Sequence, residues 1–220
     1  MDIVTAIWFQ AIKGTTATQS GIRNLPMILG LVIISILGGI LVTTFGYFTP
    51  FMILSAVLMA IGAGLLSTWE VDTNSPKWIG YQFIFGAGVG FGMQNALVAV
   101  QATLPIADVP IGTALIMFSQ TLGGALFISV GQNVFTNQLI KNLERVVPNL
   151  DPNLVLTVGA TELKNRVPAE FLAGTLIAYN KALTECFYVA VATASLSIVG
   201  AVFVKFVSMK GNPNVQPGMA

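Results

Sequence analysis

Four polar side chains in the middle of otherwise apolar stretches are the residues of this sequence best suited to bind something. Gln94 and Asn95 lie in one stretch, and Ser119 and Gln120 lie in the next. An amide in hydrocarbon without a hydrogen-bond partner costs several kcal/mol, so each must face protein or a water-filled cavity. Two interpretations stay open: a hydrogen bond between helices, worth about 1 kcal/mol, and contact with a substrate.

The positions of two of these amides along the chain suggest a common depth in a membrane. Gln94 lies just past the middle of its stretch, and Gln120 lies near the middle of the following one. If the two stretches are antiparallel helices, both amides fall slightly on the cytosolic side of the midplane. We therefore treat Gln94, Asn95, Ser119 and Gln120 as candidates for a substrate path.

The sequence has few of the side chains that catalysis and metal binding usually need. The chain has no histidine and a single cysteine, Cys186, and only 9% of its residues are charged, against about 25% in an ordinary soluble domain. Ten basic and nine acidic residues nearly cancel, so no net field recruits nucleic acid. The sequence predicts no catalytic residue, no metal site and no cofactor, and it does not indicate an enzyme.

The four candidate polar residues belong to a chain with five apolar stretches, which must position them. Each stretch is about long enough to cross a bilayer. A hydrocarbon core about 30 Å thick needs roughly 20 helical residues. The stretches are apolar all round, whereas barrel strands alternate apolar and polar residues. The predicted fold is therefore all-α, a polytopic transmembrane helix bundle. The five stretches are Leu25–Phe45, Phe51–Thr68, Ile79–Val100, Val109–Phe135 and Cys186–Val207.

Residue types at the edges of these stretches agree with helices. Prolines belong in the first turn of a helix, where a missing N–H costs little, and Ser, Thr and Asp serve as N-caps. The prolines are Pro26, Pro50 and Pro76, and the predicted N-caps are Thr49, Ser75 and Asp108.

The chain is expected to divide into five parts along its length. The orientation follows from Lys205 and Lys210, which favour a cytosolic C-terminus. The predicted parts are the outer end of a truncated helix and an extracellular junction (1–24), four transmembrane helices (25–135), an extracellular loop with short helices (136–185), a fifth transmembrane helix (186–207) and a cytosolic tail (208–220).

Small residues are expected to set how the helices pack. Gly86 and Gly90, and likewise Gly88 and Gly92, each form a Gly-x-x-x-Gly pair, and such pairs let two helix backbones approach closely in lipid. Gly123 and Gly124 are assigned the same packing role. No acidic or basic residue lies near the middle of any stretch, although proton-coupled carriers normally need one.

The order of several short motifs resembles a known transporter family. They are similar to the drug:proton antiporter branch of the major facilitator superfamily, most of all its fourteen-helix fungal members that export toxins and drugs. The motifs are Phe9-Gln-Ala-Ile-Lys-Gly14, Thr18-Gln-Ser-Gly-Ile-Arg23, the stretch Gly86–Gln101, Asp108-Val-Pro110, Gly112-Thr-Ala114, Gln120-Thr-Leu-Gly-Gly124, Gln132-Asn-Val-Phe135 and Ala178-Tyr-Asn180.

The resemblance implies a position in the carrier and a function. The five stretches correspond to its last five core helices, so this is a C-terminal portion without the first half and its proton-coupling acid. The family's tenth and eleventh helices, which line its central cavity, correspond to the two stretches with the amides. The charged loop motif after the eighth helix is not matched, since Thr43, Thr44, Tyr47 and Phe48 replace its charges.

The predicted function is part of a secondary active transporter that exports small amphipathic toxins or drugs by proton antiport, incomplete as given. The alternative is a truncated membrane protein or scaffold that does not transport. Expected partners are membrane lipid, a small amphipathic substrate, protons in the complete protein and the missing N-terminal transmembrane half, with no nucleic acid. The plasma membrane is the expected location, and the vacuolar membrane is the alternative.

Overall fold

A computed structural model describes residues 2–204 and residue 206. The described chain is all-α, as predicted. Five of its segments are long and apolar enough to cross a membrane, and these contain α3, α4, α5, α6 and α9. The helices are α1 (Asp2–Ala11), α2 (Ala17–Arg23), α3 (Leu25–Phe45), α4 (Thr49–Leu66), α5 (Ser75–Thr103), α6 (Val109–Val146), α7 (Pro152–Thr157), α8 (Leu163–Arg166) and α9 (Ala169–Phe203).

The observed helix starts confirm the predicted first-turn positions of the prolines and correct two of the predicted N-caps. Prolines occupy the first turn of α3, α4 and α5. Thr49 and Ser75 are the first helical residues rather than N-caps, and Asp108 is an N-cap whose side chain makes no capping bond. Each of these helices has proline as its second residue, which removes one of the N–H groups that a cap side chain would bind.

Two helices extend well beyond the apolar stretches that predicted them. Helix α6 continues to Val146, and α9 already begins at Ala169, so both enter the segment predicted as a loop. Between them, α7 and α8 bury Val155 and Leu163 in the main apolar core. This segment is therefore packed against the helices. Its extracellular side remains a prediction, and Lys205, Lys210 and the predicted tail 208–220 lie outside the described residues.

Helix α5 is the centre of the packing, and its glycines explain why. A Cβ on Gly86 would meet the Met27 backbone, and one on Gly90 would lie 2.5 Å from the carbonyl oxygen of Leu31. These two glycines thus allow α5 to pack closely against α3. The numbers rise together along both helices, so α3 and α5 run parallel.

The second glycine pair seats α5 against a different helix. A Cβ on Gly88 would lie 2.6 Å from the backbone nitrogen of Met59, and one on Gly92 would lie 2.5 Å from Ser55 Oγ. Both contacts are with α4. Helix α4 also packs on α9, and α9 packs on α6. The two interleaved Gly-x-x-x-Gly pairs therefore hold one helix on each side of α5.

Gly123 and Gly124 do not pack in this way within the described chain. No described atom beyond the local helix lies within 4 Å of a Cβ placed on either residue. The reason is that α6 packs on α9 mainly through its far end, where its buried residues Leu139, Asn142 and Leu143 lie. The sequence alone does not show which face of α6 has a neighbour, so the packing role of Gly123 and Gly124 stays a prediction.

Candidate functional site

Gln94 lines an open groove between α3 and α5. The groove has a volume of about 580 Å³, and its polar lining residues are Ser35, Thr43, Gln94 and Gln101 among Ile, Val and Gly. The Ser35 hydroxyl donates to the carbonyl of Gly90 at 3.1 Å, so its position is fixed by the close approach of the two helices. The amide of Gln94 is exposed in this groove, as a candidate substrate-path residue requires.

Asn95 points away from that groove although it is the next residue. It is only 2% exposed, and its Nδ2 has no partner among the described residues. One residue along a helix turns the side chain by about 100°. Asn95 lies one turn after Gly92, whose face meets Ser55 of α4, so it belongs to the packed side of α5. A direct substrate contact by Asn95 is therefore not supported.

Ser119 and Gln120 are exposed on α6. The described chain leaves almost all of the membrane-length part of α6 uncovered. Helix α6 meets α5 at its start, where Gly112 lies against Val100 and Leu104, and it packs on α9 mainly at its far end. At about 1.5 Å per residue, Gln94 lies about 14 Å from the end of α5 and Gln120 about 17 Å from the start of α6. The similar depth of the two amides in a membrane stays a prediction, and Gln120 is not among the residues that line the α3–α5 groove.

A second groove runs beside α6 and α9, and we call it the α6–α9 groove. It has a volume of about 630 Å³ and begins at the first turn of α1. Gly123, Gly124 and Gln132 of α6 form one wall, and Cys186 of α9 lies on the other. The two adjacent glycines leave one part of the α6 wall without side chains, and Phe127, Ile128 and Phe135 line the rest of it.

Aromatic side chains close one end of the helix bundle. Trp8 and Phe9 of α1 pack on Trp69 at ring-centroid distances of 4.5 Å and 5.9 Å, and Phe9 also meets Trp78 of α5 at 5.0 Å. Trp69 further contacts Phe187 of α9 at 6.1 Å. We call Trp8, Phe9, Trp69, Trp78 and Phe187 the aromatic cluster. It joins α1, α5, α9 and the loop after α4.

One amide ties the aromatic cluster together by hydrogen bonds. Asn180 Oδ1 accepts from Trp8 Nε1 at 2.6 Å, and Asn180 Nδ2 donates to the carbonyl oxygen of Trp69 at 2.9 Å. Trp8 is fully buried and Trp69 is 2% exposed. Asn180 therefore satisfies two buried groups at once, which makes it the polar centre of this end of the bundle.

Lys13 covers the outer edge of the aromatic cluster. Its Nζ donates to the carbonyl of Val71 at 2.9 Å and lies 5.3 Å from the centre of the Trp8 ring. Burial lowers the pKa of Lys13, and the charges of Arg23 and Lys164 lower it further, while Asp72 opposes the shift. The ammonium group thus ties the end of α1 to the loop after α4.

Two residues that matter in the structure were missed in the sequence. Gln82 of α5 is fully buried, and it is an amide inside an apolar stretch, so the rule that selected Gln94 could have found it. Asn180 gives no such local signal, because its partner Trp8 is 172 positions away along the chain.

Comparison with curated proteins decides the family. No protein-family model matches the chain. An MFS-type efflux pump of Arthroderma benhamiae is 56% identical over 97% of this chain, and the MFS-type transporter astH of Aspergillus oryzae is 55% identical over 93% of it. The efflux pump roqT of Penicillium rubens is 52% identical over 96% of it. The chain belongs to the major facilitator superfamily.

Membership of the major facilitator superfamily confirms the resemblance seen in the motifs. It also fits the five membrane-length segments, so the protein is an integral, multi-pass membrane protein. The chain spans only 36% to 40% of the length of these three relatives.

Proposed function

We propose that this chain is part of a secondary active transporter that exports small amphipathic molecules, such as toxins or drugs, by proton antiport at the plasma membrane. The names of the Arthroderma and Penicillium relatives describe efflux pumps. A membrane scaffold that does not transport is the less favoured alternative, because all three relatives are named as pumps or transporters.

The observation that carries the proposal is the exposure of Gln94 in the α3–α5 groove. If this face met lipid, the Gln94 amide would lose its hydrogen bonds to water at a cost of several kcal/mol. A mostly apolar groove with a few polar groups suits an amphipathic solute. Gln94, Gln101 and Ser35 supply such groups beside Ile36 and Ile40.

Helix α6 supplies the second half of the argument. Its apolar surface is almost entirely open, yet it carries Ser119 and Gln120 at a depth similar to that of Gln94. A helix with polar groups at mid-membrane depth needs protein or water on that side. We propose that Ser119 and Gln120 face the substrate path of the complete transporter, and that further helices cover the α6–α9 groove.

Substrate recognition is tested by replacing each amide with an isosteric apolar side chain. In the complete transporter, Gln94→Leu and Gln120→Leu are expected to keep normal surface abundance. Efflux of some substrates should change about 5- to 30-fold, which corresponds to losing a hydrogen bond worth about 1–2 kcal/mol. Efflux normalised to surface expression measures this, and Gln138→Leu, on α6 beyond the apolar stretch, is the control.

The opposite pattern would assign these amides to packing. In that case each variant lowers protein abundance while the relative efflux of different substrates stays the same. An unchanged substrate profile in both variants rejects the recognition role of Gln94 and Gln120.

The proposed direction of export also requires an orientation in the membrane. We predict that the segment between α6 and α9 faces the outside and that the end of α9 faces the cytosol. A cysteine placed at the exposed position Asn153 of α7 should react with a membrane-impermeant maleimide added to intact cells. Reaction only after the membrane is opened would reverse the orientation.

A further inference from the structure

Gln82 is the most unusual polar residue in the described chain. It is fully buried, and neither its Oε1 nor its Nε2 has a hydrogen-bond partner among the described residues. A primary amide can donate two hydrogen bonds and accept two others. Leaving all of them unmade inside a protein costs several kcal/mol, so we expect Gln82 to have a partner beyond the described protein atoms.

The position of Gln82 follows from the helix register. Phe9 of α1 contacts Trp78 of α5, and the two helices run in opposite directions. One turn further along α5 is Gln82, and one turn back along α1 is Thr5. Thr5 is also fully buried. Gln82 and Thr5 therefore lie at the same level, directly beneath the aromatic cluster.

Asn24, the residue before α3, carries a second buried oxygen at this level without a hydrogen-bond partner in the described chain. Gly86 packs on Met27, and α3 runs parallel to α5, so Asn24 lies within about one turn of the level of Gln82. Asn24 is 8% exposed, and its buried Oδ1 has no partner among residues 2–204 and 206. Its Nδ2 donates to the carbonyl oxygen of Asp2 at 3.3 Å, and Thr5 Oγ1 donates to the same oxygen at 2.9 Å.

We propose that ordered water binds in this layer between Gln82 of α5 and Asn24 at the start of α3. The water accepts a hydrogen bond from Gln82 Nε2 and donates one to Asn24 Oδ1. Buried waters typically make about three hydrogen bonds to groups that the protein leaves unpaired, and the unpaired amide groups of Gln82 and Asn24 supply at least two of them. The water joins α5 to the start of α3 beneath the aromatic cluster, whichever solute is carried.

The thermal stability of the complete transporter in detergent tests this site. A bound water and an empty layer predict opposite changes in the thermal midpoint when Gln82 is replaced. With a bound water, Gln82→Met removes its anchor and leaves Asn24 Oδ1 unpaired, so the thermal midpoint should fall by at least about 2 °C. If no water is present, the same change removes an unsatisfied amide, and the midpoint should rise. Gln138→Met, on α6 and outside this layer, is the control and should change the midpoint little.

A double-mutant cycle connects the two ends of the water bridge. Asn24→Ala is made alone and together with Gln82→Met. If one water links the two side chains, the combined fall in midpoint is smaller than the sum of the single falls. Additive falls, a rise or no change on Gln82→Met each overturn the proposal.

If the Gln82→Met variant does not accumulate as folded protein, the water can be looked for directly in the unaltered transporter. A cryo-electron microscopy map of the unaltered transporter should then show density within about 2.6–3.2 Å of Gln82 Nε2 that no protein atom explains. An amide that bonds only to protein atoms in such a map overturns the proposal. None of these measurements depends on transport, so their failure would leave the proposed efflux function untouched.

Discussion

Gly86→Ala is expected to cause a large loss of folded protein from one added methyl group. The new Cβ would overlap the backbone of Met27, and backbone cannot move aside as a flexible side chain can. Overpacking costs about 1–3 kcal/mol, and a backbone clash belongs at the upper end of that range. The thermal midpoint should therefore fall by several degrees, and surface abundance should fall with it.

Gly80→Ala is the matched control on the same helix. No described atom beyond the local helix lies within 4 Å of a Cβ at Gly80, and alanine is the better helix former by about 1 kcal/mol. This variant should be neutral or slightly more stable. Equal behaviour of Gly86→Ala and Gly80→Ala would show that α5 and α3 are not in close contact.

The contrast between glycines shows what the sequence could predict about packing. The pairs Gly86/Gly90 and Gly88/Gly92 could be found from spacing alone, because a Gly-x-x-x-Gly pair makes a flat helix surface wherever it occurs. Their partners could not, since α3 and α4 lie at distant positions in the chain. Gly123 and Gly124 look similar in sequence, yet no described helix covers them.

The amides show a similar limit for the candidate site. The length of the apolar stretch and the position of Gln94 within it predict the depth of this amide in the membrane. Which way an amide points depends on the rotation of the helix, which spacing does not determine when a stretch is apolar all round. Gln94 and Asn95 are adjacent, yet one lies in an open groove and the other on the packed side of α5.

For a related reason, helices α6 and α9 are longer than the apolar stretches that predicted them. Hydropathy finds the part of a helix that lies in hydrocarbon, whereas the polar turns of α9 before Cys186 are stabilised by packing. Ala178, Ala182 and Leu183 are buried there against the aromatic cluster and its neighbours. Contacts between distant residues therefore extend a helix beyond what composition alone indicates.

Asn180→Leu is expected to loosen the end of the bundle that the aromatic cluster closes. The change keeps the size of the side chain but removes the acceptor for Trp8 Nε1 and the donor to the Trp69 carbonyl. Each of the two buried groups left unpaired costs about 1–3 kcal/mol, so the total should be about 2–6 kcal/mol. The thermal midpoint of the complete transporter should fall by several degrees, and Asn165→Leu, at an exposed position in α8, should change it little.

Trp8→Phe separates the hydrogen bond from the aromatic packing. It keeps a ring in contact with Trp69 and Phe9 but removes Nε1, so Asn180 Oδ1 loses its donor. Because Trp8→Phe and Asn180→Leu break the same hydrogen bond, the double variant should be destabilised by less than the sum of the two. If the two effects add, the bond of 2.6 Å between Trp8 and Asn180 contributes nothing to stability, and packing of the aromatic rings alone holds α1 against α9.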